Sequence, residues 1–596
     1  MRRDPVIVLK LGGSVLAGED ALPRAVHEVY RWRREGFGVV AVVSALAGET
    51  DALLARGAAA DGAGAPHALA ALASLGEQRA AALLALHLER AGVAARVLSP
   101  SALRLLAHGD PLDALPVSVD ARRLQRALGS GAVLVVPGFF AHDGEGRAVL
   151  LGRGGSDLTA LFLASRLGAR CRLLKDVDGL YVRDPASPGP SPARYAAATW
   201  DDALATDGSI VQHKAVVFAR SGGRPFEIGR LGGLRTSWVG APVARLEEPP
   251  PRARPLRVAL LGLGTVGGGV LAALARLPGD FEVVAACARE PGRPRPELPA
   301  DFAVGGDPVA TASCGADVVV EALGGVEPAR SALRAALRSG AHVVSANKAV
   351  LAAHGEELES LAAARGLTLR ASAAAGGAMP LLPALRRLAR GGGLLRLDAV
   401  LNGTTTFVFE ALAAGASMEE AVERARGAGL CERDLERDLS GADAADKLVL
   451  ACHAATGRWL DARDVACTPA GPADLALARE GVVVRQVASL RLGDLAGAKD
   501  ARSARPIARV RAVALDPAHA LAAPRGAGNA AVLRTTEGRV LLQGRGAGRW
   551  PTVEAVVGDL FELLREQAGR GGPPAPRVGS EPPAQAAHAA PALART

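Results

Sequence analysis

The chain has 596 residues, enough for about three or four ordinary domains, with 49% apolar and 22% charged residues and a mean hydropathy of +0.18. That composition excludes a largely disordered or fibrous chain, and only 3% aromatic residues argues against a stacking surface for single-stranded nucleic acid. The net charge is +9, but the arginines are spread along the chain among Asp and Glu, so no clustered nucleic-acid footprint is present and anionic small molecules suit the charge as well.

The N-terminus, Met1-Arg2-Arg3 followed by apolar residues, faintly resembles a signal peptide. Lys10 and Gly12-Gly13 interrupt it, and Val6–Leu11 reads as a buried first strand. Residues 21–35 have helical spacing, 39–44 read as a strand, 58–66 (AAADGAGAP) as a loop and 69–91 as a long Ala/Leu helix. A strand over 133–139 and a helix from about 157 to 167 follow. Residues 246–256 (LEEPPPRARPL) read as a semi-rigid linker. Beyond it, Val258–Ala275 is 18 uncharged residues long but holds five glycines in a turn pattern, so it reads as strand, turn and helix, and no membrane span is expected. Residues 569–596 are rich in Gly, Pro, Ala and Arg, and disorder is expected there.

Strands that are apolar throughout, alternating with helices, imply α/β architecture with mostly parallel sheets covered on both faces. The expected divisions are 1–245, a linker at 246–256, two further stretches over 257–383 and 384–568, and the tail. The six cysteines (171, 287, 314, 431, 452, 467) show no C-x-x-C spacing, so neither a zinc site nor a redox pair is expected. Buried free thiols in a reducing cytoplasm are the simple reading.

Of the 70 basic residues only six are lysine: Lys10, Lys175, Lys214, Lys348, Lys447 and Lys499. Arginine replaces lysine where surface charge suffices, but not where a compact ammonium or an exchangeable proton is needed, so the survivors are worth locating. Lys10-Leu11-Gly12-Gly13-Ser14 would let backbone amides approach a polyphosphate beside a point charge, although alone it reads equally as a strand-end turn. Gly152-Arg153-Gly154-Gly155-Ser156-Asp157 is a glycine-rich loop opening a helix. Lys175-Asp176-Val177-Asp178, with Tyr181, is an acidic strand end.

In the second half, Gly262-Leu263-Gly264-Thr265-Val266-Gly267 sits between a strand and a helix, the context of a pyrophosphate-binding turn. The next strand (281–288) ends at Arg289, with no acidic residue at its tip, which favours a 2′-phosphate and so NADP over NAD. Val318-Val319-Val320-Glu321 precedes a buried strand that ends at Ser345-Ala346-Asn347-Lys348. Asn402-Gly403-Thr404-Thr405 reads as a hydroxyl-rich turn. Asp443 and Lys447 are i, i+4 on a helix and share a face. An ordinary surface ion pair is one reading; the apolar Leu448–Ala451 that follows points instead to a partly buried proton donor.

The first half resembles the amino-acid-kinase family, aspartate kinases in particular. Its motifs K-x-G-G-S/T, V-V-S-A followed by Thr50, Ser74-Leu75-Gly76-Glu77-Gln78, G-R-G-G-S-D and D-V-D-G-x-Y occur in family order over roughly residues 5–240. The resemblance implies transfer of the ATP γ-phosphate, with Mg²⁺, to the side-chain carboxylate of aspartate. It places Lys10, Gly12 and Gly13 on the transferred phosphoryl group, Thr50, Glu77 and Arg153 on the amino acid, Asp157 as an orienting group, and Asp176, Asp178 and Tyr181 near the nucleotide. The family's later motif G-A-K-V-L-H-P-R is altered to residues 208–214, GSIVQHK, in which Lys214 would serve the nucleotide. The first part ends near Gly240, which leaves no space before the linker for the ACT regulatory domains of that family.

Residues 256–565 resemble homoserine dehydrogenases, through G-x-G-x-V-G-x-G, V-V-E-x-x-G-G, A-N-K, N-G-T-T and the run from Glu432 through Asp438 and Asp443 to Lys447. This implies a Rossmann dinucleotide-binding domain over 257–383, an α+β catalytic and dimerisation domain over 384–568 whose end returns to it, and interconversion of aspartate semialdehyde and homoserine with NADP or NAD. Lys447 would move the hydroxyl proton, Asp443 would set its charge state, and Lys348, Glu432 and Asp438 would hold substrate and water. The cofactor would lie on Gly262, Gly264, Thr265, Val266, Gly267 and Arg289, near Ala346 and Asn347. Family members also bind a monovalent cation before the turn that is Gly376–Pro380 here, where Ser372 stands for a family acid, and a homodimer or higher oligomer is implied. The competing expectation is a dehydrogenase fused to a silent kinase-like module.

Overall fold

The structure is a computed structural model describing residues 5–60, 65–188, 192–233, 235–248, 254–299, 301–391, 393–427, 435–469, 472–479, 482–492 and 506–569. Glu432, Cys431, Lys499 and the expected tail from 570 lie outside the described residues.

In the first half, β1 (Val6–Leu11) is buried on both faces. It leads to α1 (Leu22–Arg34), which starts with Pro23 in its first turn, and then to β2 (Gly38–Val43). The long helix α2 spans Pro66–Arg90, and β3 (Val133–Pro137) follows. By length and composition α2 could cross a membrane. Here it packs against α1 and β3, with Ala80, Ala81, Leu84 and Leu88 buried. Then come α3 (Gly155–Leu167), bounded by left-handed Gly154 and Gly168, β4 (Arg170–Lys175), α4 (His213–Ser221) and β5 (Phe226–Arg230). The order β5-β4-β1-β2-β3 is parallel throughout and is the centre of a sheet of ten strands among the described residues.

The expected loop over 58–66 is shorter, because a helix runs Glu49–Ala59 and α2 begins at Pro66. The expected linker also starts late. Residues Arg245–Glu247 form a strand antiparallel to Arg194–Ala198, pinned by the Glu247 carboxylate on Arg194.

The second half opens with β6 (Leu256–Leu261), α5 (Thr265–Leu274), β7 (Phe281–Cys287), β8 (Val318–Glu321) and β9 (His342–Ser345). These strands are parallel in the order β7-β6-β8-β9, extended at the ends by Val304–Gly305 and Leu369–Arg370. After α6 (Lys348–Ala363) and α7 (Leu381–Arg390) comes a mostly antiparallel sheet built on β10 (Leu394–Val400). The helices α8 (Gly403–Ala413) and α9 (Ala442–Thr456) pack against its strand Val483–Arg491. The final helix, α10 (Arg549–Gly569), returns to lie on α5.

Two expectations need correction. Thr404 and Thr405 do not form a turn: Asn402 accepts the Thr405 N–H at 3.0 Å and starts α8, and the Thr405 and Thr406 hydroxyls bond back to its carbonyl. Of the thiols, Cys171, Cys287 and Cys452 are buried, but Cys314 and Cys467 are exposed. With so few aromatics, the cores are Ala, Val and Leu, with isolated anchors such as Trp32, Phe162 and Phe409.

The halves are also docked on each other. α1 packs on α10, Arg24 pairs with Asp280 at 2.9 Å, Arg90 stacks on Trp550 at 4.2 Å, and the Arg545 N–H donates to the Gly92 carbonyl at 3.1 Å.

Candidate active sites

Parallel strands end their carboxyl tips at one edge, where helix N-termini and loops converge, and ligands of α/β proteins gather there. In the first half β1 ends at Lys10 and β4 at Lys175, while α3 presents Asp157 in its first turn. Asp157 is 2% exposed, and both its oxygens are taken: Oδ1 by Lys10 Nζ and Oδ2 by Lys175 Nζ, each at 2.8 Å. Burial works to raise its pKa, but the two ammonium groups outweigh it and hold the carboxyl at about 2. Burial also lowers Lys10, against the pull of Asp157, to about 8.

Gly12 lies close under the Lys10 ammonium: a Cβ there would sit 2.9 Å from Lys10 Nζ. Ser14, in the same turn, donates to Asp176 at 3.3 Å. No side chain caps α3, so its first N–H groups face the glycine loop unclaimed by side chains. These features fit a polyphosphate.

Glu77, on α2, accepts the Ala45 N–H at 3.2 Å; burial lifts its pKa to about 7 despite that bond. Its Oε2 is buried without a protein partner, and Thr50 lies beside it, which suits an incoming ammonium group. Arg153 is exposed in the loop between Gly152 and Gly154. Tyr181 donates to Asp178 at 2.5 Å, and burial together with that carboxylate pushes the phenol up to about 12.

Lys214 lies at the base of the glycine loop. Its ammonium bonds Asp113, the Ala114 carbonyl at 3.2 Å and the Leu151 carbonyl at 2.9 Å. An ammonium has three N–H donors, and all three meet protein acceptors there.

In the second half the dinucleotide turn is built by exclusion. Gly262 is left-handed, and a Cβ on it would lie 2.7 Å from the Ala322 carbonyl. One on Gly267 would lie 1.7 Å from the Gly262 carbonyl, whereas one on Gly264 would meet nothing within 4 Å. The first and third glycines thus serve packing, while the second faces open space beside the α5 N-terminus, which no side chain caps. Thr265 and Val266 form the first turn of that helix. Arg289 is exposed just beyond the tip of β7. These features fit a dinucleotide.

Glu321, fully buried at the end of β8, lies beside Leu261, the last residue before this turn, and holds the start of α6. It accepts from Ser345 Oγ at 2.5 Å, Asn347 Nδ2 at 3.1 Å and the Leu323 N–H at 2.8 Å, and its carbonyl accepts the Ala346 N–H at 3.0 Å. Asn347 then caps α6, so Lys348 starts that helix in a fixed direction. Lys348 Nζ lies 3.1 Å from Asp443 Oδ1, and Lys447 Nζ 2.7 Å from Asp443 Oδ2. Asn402 Nδ2 donates to Asp443 at 3.0 Å and to Asp438 at 2.7 Å.

Burial disfavours the Asp443 anion, yet Lys447 and Lys348 outweigh it and keep its pKa well below the carboxylate range. Asp438, pushed up chiefly by burial, is its more easily protonated neighbour. Lys447 also donates to the Leu401 carbonyl at 2.6 Å, so one of its three N–H bonds remains for a ligand. A cleft of about 630 Å³ opens beside Lys348 and Arg437.

The Gly376–Pro380 turn does not fit a cation held at Ser372. The Ser372 N–H and Oγ both go to Asp559, and its Oγ receives Arg34. Sequence reasoning assigned no role to Glu321 and Asn402, although each stood inside a motif already singled out, and it placed Lys175 beside the acidic strand end without pairing it to Asp157.

Residues 5–229 match the amino acid kinase family, residues 262–371 the homoserine dehydrogenase NAD-binding domain and residues 380–561 homoserine dehydrogenase. A homoserine dehydrogenase of Synechocystis sp. is 32% identical over 323 residues, covering 52% of this chain and 73% of that protein. The aspartate kinase Ask_LysC of Stutzerimonas stutzeri is 36% identical over 218 residues, covering 36% of this chain and 53% of that protein, so the chain spans about half its length. A solved homoserine dehydrogenase structure from Thiobacillus denitrificans, 30% identical, covers 53% of this chain and 74% of that one with a TM-score of 0.48.

Proposed function

Because the chain belongs to the homoserine dehydrogenase family and carries an amino acid kinase domain ahead of it, we propose that it is a bifunctional enzyme of the aspartate pathway, serving threonine, methionine and isoleucine synthesis. The second half interconverts aspartate semialdehyde and homoserine. The first half phosphorylates L-aspartate to 4-aspartyl phosphate with ATP, and Mg²⁺ enters with the nucleotide. A separate reductase links the two steps. We assign the reactions to the cytoplasm and the active form to a homodimer or higher oligomer.

The observation that carries the dehydrogenase reading is the Lys348–Asp443–Lys447 cluster joined through Asn347 and Glu321 to the dinucleotide turn. The nicotinamide, when bound, supplies or accepts the hydride. Lys447 gives its free N–H proton to the carbonyl oxygen as the aldehyde is reduced and takes it back in the reverse direction. Asp443 stays ionised and keeps both ammonium groups oriented. Lys348 and Asp438 hold the substrate and water. We propose NADP as the preferred cofactor, because Arg289 offers a guanidinium at the β7 tip.

In the kinase half, Lys10 and the Gly12/Gly13 amides hold the transferred phosphoryl group. Asp157 fixes Lys10 and Lys175, Asp176, Asp178 and Tyr181 flank the nucleotide, and Glu77, Thr50 and Arg153 grip aspartate. The saturated Lys214 ammonium favours a second reading, a silent nucleotide- or amino-acid-binding module. Mg-ATP-dependent aspartyl hydroxamate formation by the full chain separates them: product supports the kinase, while nucleotide binding without product supports the silent module.

Arg289→Ser should weaken NADPH relative to NADH by about 10–100-fold, the worth of a charge-assisted bond to a phosphate. Steady-state kinetics with the two cofactors measures this, and an unchanged ratio removes Arg289 from the assignment.

A further inference from the structure

Arg34, the last residue of α1, spends its side chain outside its own half. The guanidinium is 2% exposed and lies 2.5 Å from Asp559 and 2.8 Å from Glu562, both on α10. It also donates to the Ala555 carbonyl at 3.1 Å and to Ser372 Oγ at 3.2 Å. Asp559 is wholly buried. Its Oδ2 accepts the Ser372 N–H at 2.8 Å and its Oδ1 accepts Ser372 Oγ at 2.7 Å. Glu562 is shared with Arg370, whereas Arg34 is the cation in hydrogen-bond contact with Asp559 among the described residues. From the other side, Arg387 of α7 donates to the Arg34 carbonyl at 3.2 Å.

Two parts of the dehydrogenase site rest on Asp559. Ser372 begins the buried segment through Pro380 that leads into α7, and α7 packs along α9, which carries Asp443 and Lys447. α10 supports the cofactor helix closely enough that a Cβ on Gly269 of α5 would lie 2.6 Å from Val553. A carboxylate buried at that junction needs a cation, and an unpaired one would draw in water or shift the elements it holds.

We propose that Arg34, a residue of the kinase half, is a positioning residue for the dehydrogenase, acting by neutralising Asp559 so that it can hold the Ser372 segment and α10 in place. The kinase domain is thus a structural part of the dehydrogenase, not only its fused neighbour. This rests on the dehydrogenase reading above, and homoserine oxidation by the wild-type chain tests that reading separately.

The test is Arg34→Met in the full chain, assayed for homoserine oxidation. The expected result is a kcat lower by about tenfold or more, as small misplacements of reacting groups produce. Millimolar guanidinium chloride should restore part of it where equal sodium chloride does not. Arg34→Met combined with Asp559→Asn, which removes both charges, should regain most of the lost kcat. An unchanged kcat in Arg34→Met overturns the proposal. So does a loss that persists both with guanidinium and in the double variant. If Arg34→Met does not fold, the double variant decides: folded and active supports charge neutralisation, while inactive or unfolded overturns it. A wild-type chain that does not oxidise homoserine sinks the functional reading instead.

Discussion

Lys447→Ala should lower the dehydrogenase kcat by about 10²–10⁴-fold, the range for loss of a positioned general acid, and leave the NADPH dissociation constant within about twofold. The two readouts separate because the lysine sits on α9, whereas the dinucleotide turn is built from β6, α5 and the Glu321 network. The variant should fold, because Asp443 keeps Lys348 at 3.1 Å and Asn402 at 3.0 Å and is not left as a bare buried charge. Lys447→Arg should not rescue, since a guanidinium holds its proton too tightly to exchange it near neutral pH. Full turnover in Lys447→Ala would falsify the proton-transfer assignment. Loss of NADPH binding in step with turnover would instead assign the residue to packing.

Lys10→Met should reduce aspartyl hydroxamate formation by about 10²–10³-fold, the scale for removing one preorganised donor from a developing negative charge. A pH dependence accompanies it. Lys10, lowered chiefly by burial, has a pKa of about 8, so its ammonium is present below that pH and lost above it. Asp157, at about 2, stays ionised across the working range and contributes no limb there. The wild-type kcat/KM for Mg-ATP should therefore be sustained up to about pH 8 and fall beyond it, because this parameter reports the free enzyme. The residual activity of Lys10→Met should lack that alkaline limb. A wild-type profile flat to pH 10, or a limb that survives the substitution, contradicts the role.

Much of both sites was legible because the informative patterns are local. The glycine turns declare themselves through spacing, as at Gly262 and Gly267, where a side chain would strike the backbone. Asp443 and Lys447 share a helix face whatever the surrounding fold. The scarcity of lysine made the few that remain conspicuous. Five of the six lysines lie in motifs, and four of these, Lys10, Lys175, Lys348 and Lys447, flank two of the buried carboxylates, Asp157 and Asp443.

Lys214 shows the limit of that reasoning. Its place in the chain suggested a nucleotide ligand, but the packing of α4 against the glycine loop surrounds its ammonium with Asp113 and two carbonyls. Asn402-Gly403-Thr404-Thr405 had the composition of a turn and proved to be a helix start, because the Thr405 N–H donates to the Asn402 side-chain oxygen and caps the helix.

The residue types, their order and their short-range spacing determined by themselves two α/β halves, the glycine turns at their strand ends and most of the polar residues gathered around them. Tertiary structure alone decided which of those residues meet. It brought Lys348 to the carboxylate that Lys447 already faces along its own helix, and set Lys214 against the base of the glycine loop. It also carried Arg34, one of 64 arginines and unremarkable in its helix, across to a buried aspartate of the other half. The physical reason is that burial and charge pairing depend on elements brought together from distant parts of the chain, whereas turn geometry and helix faces depend only on neighbours.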